Sequence, residues 1–178
     1  MTKIYLITGA PAVGKSTTAN ALAAKFNKSI HIPVDVIRHM VVGGIAQPGT
    51  EWSDTLKEQL SLARKSVVHM ATTYWDRGFV VVIDDFWDPH SKLSEYESLQ
   101  NKTNFHKILL FPTQQAAKQR NAMRSGNEGN QYIDEGIRIV YESLLENISF
   151  FQQKGWIMAD TTENPVETVV NQLLLQTQ

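Results

Sequence analysis

One stretch constrains this chain more than any other: Gly9-Ala10-Pro11-Ala12-Val13-Gly14-Lys15-Ser16, followed by Thr17. It satisfies G-x-x-x-x-G-K-[ST] in full. The apolar run at residues 3–8 precedes it, and a stretch with Ala19, Leu22, Ala23 and Phe26 on one helical face, residues 15–26, follows. The pattern therefore predicts strand, tight loop and helix. The chemistry explains the residue types. Gly9 and Gly14 let the backbone curl so that successive N–H groups point inward at phosphate oxygens. The helix N-terminus adds partial positive charge. A nucleoside triphosphate is the expected ligand, cradled by Gly9, Ala10, Ala12, Val13, Gly14, Lys15, Ser16 and Thr17. Lys15 would reach the β- and γ-phosphates, and the Ser16 hydroxyl would ligate Mg²⁺.

Short apolar runs alternate with longer periodic stretches through the rest of the chain, which predicts an α/β fold with a mainly parallel sheet. Strands are expected at residues 3–8, 29–34, 79–84, 105–111 and 155–159. Helices are expected at 15–26, 35–42, 55–77, 113–125, 132–153 and 164–176. Thr55 and Glu58 have the spacing of a capping box. Asn164 and Pro165 read as a cap followed by the first helical position. Residues 126–130, Gly-Asn-Glu-Gly-Asn, read as a flexible break. Five strands with right-handed crossovers give a three-layer α/β/α sandwich. With 178 residues, one domain over 1–178 is expected.

Ligands in such sheets sit beyond the carboxyl ends of the strands. After the second strand come Asp35 and Arg38, which share a face of a helical turn. A carboxylate there can take the proton of an attacking hydroxyl, and Arg38 can hold a polar group of that substrate. After the third strand come Asp84 and Asp85. One of them is expected to support Mg²⁺, and alternation cannot choose between them; Asp84 is taken for the metal and Asp85 for the substrate side. Arg120 and Arg124 share a face of the helix after the fourth strand and are expected to neutralise charge on the transferring group. The segment 160–165 is expected either to touch the adenine or simply to cap the last helix. Trp52, Phe86, Trp87 and His90 are candidates for a ring or sugar pocket. His31, His39, His69, His90 and His106 show no metal-ligand spacing.

Together, residues 7–17, Val34-Asp35-Val36-Ile37-Arg38, Ile83-Asp84-Asp85, Arg120 and Arg124 resemble the small P-loop kinases related to nucleotide kinases. That group includes shikimate and gluconate kinases, chloramphenicol phosphotransferase and polynucleotide kinase domains. The resemblance implies strand order 2-3-1-4-5. It also implies an acceptor-side segment at 35–77, a helical lid at 120–132, and Asp35 as catalytic base. Residues 84–88 lack the Gly-rich stretch of shikimate kinases, so no acceptor carries over.

The expectation is an ATP- and Mg²⁺-dependent phosphotransferase, with Lys15, Asp35, Arg120 and Arg124 as catalytic residues and a small-molecule hydroxyl acceptor. A 5′-hydroxyl polynucleotide kinase and an acceptor-less ATPase or switch are the rivals. A formal net charge of −1 argues against a nucleic-acid partner. No apolar run is long enough to span a bilayer. The chain has no cysteine, which excludes disulfides and thiolate metal sites and agrees with a cytoplasmic protein.

Overall fold

Near-continuous apolar strands need cover on both faces. In the computed structural model, every residue of β1 (Ile4–Thr8) and of β3 (Val80–Asp84) is buried. The structure describes residues 2–47, 52–102, 104–125 and 130–178. In chain order, α1 (Lys15–Ala23), β2 (Ser29–Pro33), α2 (Val34–Arg38) and α3 (Asp54–Asp76) separate β1 from β3. A 3-10 turn at Ser94–Tyr96 and α4 (Glu97–Gln100) lead to β4 (Phe105–Leu110). Then come α5 (Gln114–Ser125), α6 (Gln131–Glu146), α7 (Ile148–Gln153), β5 (Trp156–Ala159) and α8 (Val166–Gln176).

The sheet is parallel, in the order β2-β3-β1-β4-β5 that the family resemblance implies. Register does the important work. Ile7 and Pro33 both lie opposite Asp84, so the loop after β1, the start of α2 and the end of β3 emerge level with one another. Leu22 and Ala19 of α1, and Val67 and Ala71 of α3, carry the sheet's cover into the core.

Local departures from expectation have local causes. The second helix stops at Arg38 rather than 42, where Met40 and Val42 stand exposed and bury no apolar face to extend it. Ser53, not Thr55, caps α3 by accepting from Leu56 N at 3.2 Å. Pro165 takes the N-cap position of α8, while the Asn164 side chain donates to Asp160 O at 2.9 Å. The expected helix over 132–153 breaks at Asn147 into α6 and α7. There the Asn147 amide donates to Ser143 O at 2.8 Å, a side-chain bond that competes with regular helix. Of the expected break at 126–130, residues 126–129 lie outside the described residues. Among the described residues, no helix is long and apolar enough to cross a membrane.

Candidate active site

The phosphate loop requires glycine at two positions. Gly9 has φ 150°, and a Cβ there would lie 2.6 Å from the backbone oxygen of Leu110. Gly14 is left-handed at φ 94° just before α1. Ala12 shares that region at φ 61°, a strained choice for a residue with a side chain. Lys15 folds back over the loop, donating from Nζ to Ala10 O at 2.8 Å. Burial pushes the Lys15 ammonium below the ordinary lysine range. The carboxylates of Asp84, Asp85 and Asp35 oppose this, and Arg124 reinforces it. Four of the residues singled out in the sequence thus act on one ammonium group.

The two aspartates at the end of β3 make different contacts. Asp84 turns toward the loop: its Oδ1 accepts from Ser16 Oγ at 3.1 Å, and its Oδ2 lies 2.5 Å from His31 Nε2. A hydroxyl beside a carboxylate is the hard oxygen donor set that suits Mg²⁺ completed by phosphate and water oxygens. Asp85 turns the other way. It accepts from Arg64 Nε at 2.6 Å, Tyr96 Oη at 3.2 Å and the Phe86 N–H at 2.8 Å. Its carboxylate is fully engaged and buried, so the substrate contact expected of Asp85 is corrected to a structural one. Burial holds its carboxyl above the usual range, against the pull of Arg64.

Arg64 is the largest omission from the sequence reading. It sits on the buried stripe of α3 at 1% exposure and also donates to Asp88 Oδ2 at 2.6 Å. Two carboxylates outweigh desolvation and raise its affinity for the proton. Asp88, unlike Asp85, is held below the usual range: burial works upward, but Arg64 and N–H and hydroxyl donors from His90 and Ser91 prevail. A charged residue at helical spacing among Leu60, Ala63 and Val67 is the signal that marked it. His31 was the second omission; its partner, Asp84, is 53 residues further along the chain and leaves no mark in local spacing.

Asp35 stands open at the start of α2, with 75% of its side chain exposed, 3.6 Å from both Arg38 Nε and His39 Nδ1. Arg38 is buried and donates to Ala46 O at 3.0 Å. Much of its donor capacity is therefore spent on fixing the 39–46 segment and Asp35.

Arg120 departs from its expected role. It donates to Thr161 O, to Thr162 O at 3.1 Å and to Val13 O at 3.5 Å. It walls a cleft of about 220 Å³ with Val13, Gly14, Thr17, Thr161 and Asn164. The guanidinium expected to serve the transferring group is thus engaged with carbonyls of the loop and of the 161–162 segment. Arg124, one turn on, is exposed and acts on Lys15 through its charge. Trp87 is core rather than pocket: it is buried, donates to Ser143 Oγ at 3.0 Å and packs edge-on to Phe151 and Trp156. Trp52 does meet Phe86 and His90, with ring centroids 5.6 and 5.0 Å apart, and Arg64 lies over Phe86 at 5.2 Å.

A family model described as AAA domain matches residues 4–138. An adenylate kinase of Campylobacter curvus (strain 525.92) is 22% identical over 180 residues, which cover 96% of this chain and 95% of the relative. Among solved structures, a shikimate kinase from Bacteroides thetaiotaomicron superposes with a TM-score of 0.66 at 18% identity, covering 98% of each chain. The tunicamycin resistance protein of Deinococcus radiodurans gives a TM-score of 0.68 at 15% identity, covering 99% of this chain and 95% of its own.

Proposed function

The chain belongs to the AAA domain family and has the fold of P-loop kinases, and from that premise we propose that it transfers the γ-phosphate of ATP to a hydroxyl of a small-molecule acceptor. The observation that carries this reading is the division of labour between carboxylates. Asp84 is bound to Ser16 and turned to the metal side. Asp35 is open to solvent yet close enough to act on Lys15. A second carboxylate open to solvent leaves room for an acceptor hydroxyl to approach it and lose its proton there.

The nucleotide's phosphates lie in the cradle from Gly9 to Thr17, held by backbone N–H groups and Lys15. The cleft walled by Arg120, Thr161 and Asn164 takes the base. Ser16 and Asp84 would hold Mg²⁺, which would neutralise charge on the phosphates. Asp35 accepts the proton of the attacking hydroxyl, and Arg38 keeps that carboxylate in place. Arg124 supplies positive charge over the transferring group. The single domain over 1–178, the acceptor-side segment 35–77 and the lid 120–132 belong to the same proposal.

A phosphate acceptor is the second reading, favoured by the likeness to an adenylate kinase. Such an acceptor is already ionised and needs no base. The near-neutral net charge weighs against a polynucleotide acceptor.

The test is ADP release from MgATP over a panel of sugars, sugar acids, nucleosides, aminoglycosides, nucleoside monophosphates and 5′-hydroxyl oligonucleotides. A hydroxyl compound that stimulates release, with a phosphorylated product and no activity in Lys15→Ala, is the expected result. Stimulation by a nucleoside monophosphate alone would replace the reading with the second one, and stimulation by nothing would favour a switch.

A further inference from the structure

One cavity among the described residues lies away from the phosphate loop. It has a volume of about 360 Å³ and lies on the sheet face between the 91–100 segment and the end of α7. Of its strand residues, Phe105, Lys107 and Trp156 belong to the first halves of β4 and β5, and Leu6 to the middle of β1. It therefore opens away from the strand ends that carry Gly9–Thr17 and Asp84, and nothing in the proposed transfer reaction uses it.

The lining combines aromatic surface with positive charge. Lys107 lies in the first half of β4, and its Nζ is 5.9 Å from the centre of the Trp156 ring. Lys92 reaches 5.5 Å from the centre of the Phe150 ring. Lys154 is the third lysine at the rim, against one carboxylate, Glu97. Burial and the charge of Lys154 both push the Lys107 ammonium below the ordinary lysine range, which is the electrostatic state an anion would relieve. Lys107 also donates to Lys154 O at the end of α7, so its ammonium is held at the cavity rather than free to swing out.

The turn that presents Lys92 is strained. Lys92 and Leu93 are consecutive residues with side chains at φ 46° and φ 60°, in the left-handed region that such residues avoid. Two contacts enforce it: Leu93 is buried, and Lys92 N donates to Asp88 O at 2.8 Å. A relaxed turn would not require this, and the outcome of the strain is a cation over an aromatic ring at the cavity mouth.

We propose that this cavity is a second ligand site for an aromatic carboxylate, its ring against Phe150 and Trp156 and its carboxylate on the ammonium groups of Lys92 and Lys107. The volume suits a one- or two-ring acid, at the small end of ligand pockets. Cationic side chains at such a rim supply orientation, and the rings supply most of the buried area.

The test is titration of the ¹⁵N-labelled protein with 2-naphthoate, followed by amide and indole shifts, beside its neutral isostere 2-naphthamide. Saturable shifts at the Trp156 indole, Ser94 and Lys107 are expected for the carboxylate, with affinity about tenfold weaker or worse for the amide and for Lys92→Met/Lys107→Met. Lys92→Met alone, at an exposed position, repeats the test should the double variant fold poorly, and MgATP binding by each variant reports an intact fold. Shifts confined to Gly9–Thr17, equal affinity for acid and amide, or unchanged affinity in Lys92→Met would each overturn the assignment. So would the absence of saturable shifts.

Discussion

Replacing Arg64 by Met keeps a long, mostly apolar stem and removes the guanidinium. Asp85 and Asp88 each lose a partner at 2.6 Å, in surroundings where their side chains are 1% and 5% exposed. Removing one member of a buried ion pair costs about 3–5 kcal/mol, because the other charge stays buried alone. Against a total stability of roughly 5–15 kcal/mol for a domain, that is a large fraction. For a chain of this size it corresponds to a fall in Tm of roughly 6–20 °C. Urea unfolding and thermal melts followed by circular dichroism would measure it. The pH dependence carries a sign. In the wild type, Asp88 is held below its ordinary value, so its share of stability is present above the unfolded carboxylate range and lost as pH falls through the depressed value. In the variant, burial without a cation raises both carboxyls, and protonation relieves the penalty. The gap between the two proteins should therefore be widest at and above neutrality, narrow as pH falls toward the ordinary carboxylate value of about 4, and narrow further below it as the wild type loses the Asp88 contribution. Adding Asp85→Asn to the variant should recover part of the loss. A penalty under about 1 kcal/mol at neutral pH, the size of a surface pair, would refute the reasoning.

Gly9→Ala drives a Cβ to 2.6 Å from Leu110 O, so the loop must shift; MgATP affinity should fall by more than about tenfold with the far-ultraviolet spectrum unchanged. His31→Ala removes the partner of Asp84 Oδ2. The Mg²⁺ needed for half-maximal nucleotide binding should rise about 10-fold or more, the usual effect of losing a residue that orients a metal ligand, which calorimetry would detect. Arg120→Met should raise the KM for ATP and leave the acceptor KM and kcat near wild type. A collapse of kcat at saturating ATP would return Arg120 to the transfer chemistry.

Features written into contiguous residues were legible before the fold was known. The loop motif announced itself because its glycines, Lys15 and Ser16 must be neighbours in the chain, and strands such as 79–84 were plain from their apolar runs. Strand order came with the family resemblance, since alternation along a strand says nothing about its neighbour. Roles that depend on side-chain direction were less accessible. Asp84 and Asp85 are adjacent in sequence yet point to opposite tasks, and only the register that sets Asp84 beside Ser16 and His31 separates them. Arg120 and Arg124 share a helical face, but the carbonyls of Val13, Thr161 and Thr162 capture the first. Trp87 looked like a loop aromatic because its packing partners, Phe151 and Trp156, lie more than sixty residues on. The caps at Ser53 and Pro165 show the same limit on a small scale, since each was displaced by one or two positions from a good local motif.

In the proposed reaction Asp35 serves the transfer step and not the nucleotide. Once the ADP-release panel has supplied an acceptor, the direct measurement is single-turnover phosphate transfer by Asp35→Asn at saturating ATP, beside its MgATP affinity. The account predicts a rate lower by about 10²–10⁴-fold, the contribution of a positioned base, with MgATP affinity within about twofold of wild type, because the cradle is built from Gly9–Thr17. Transfer at the wild-type rate in Asp35→Asn would contradict it.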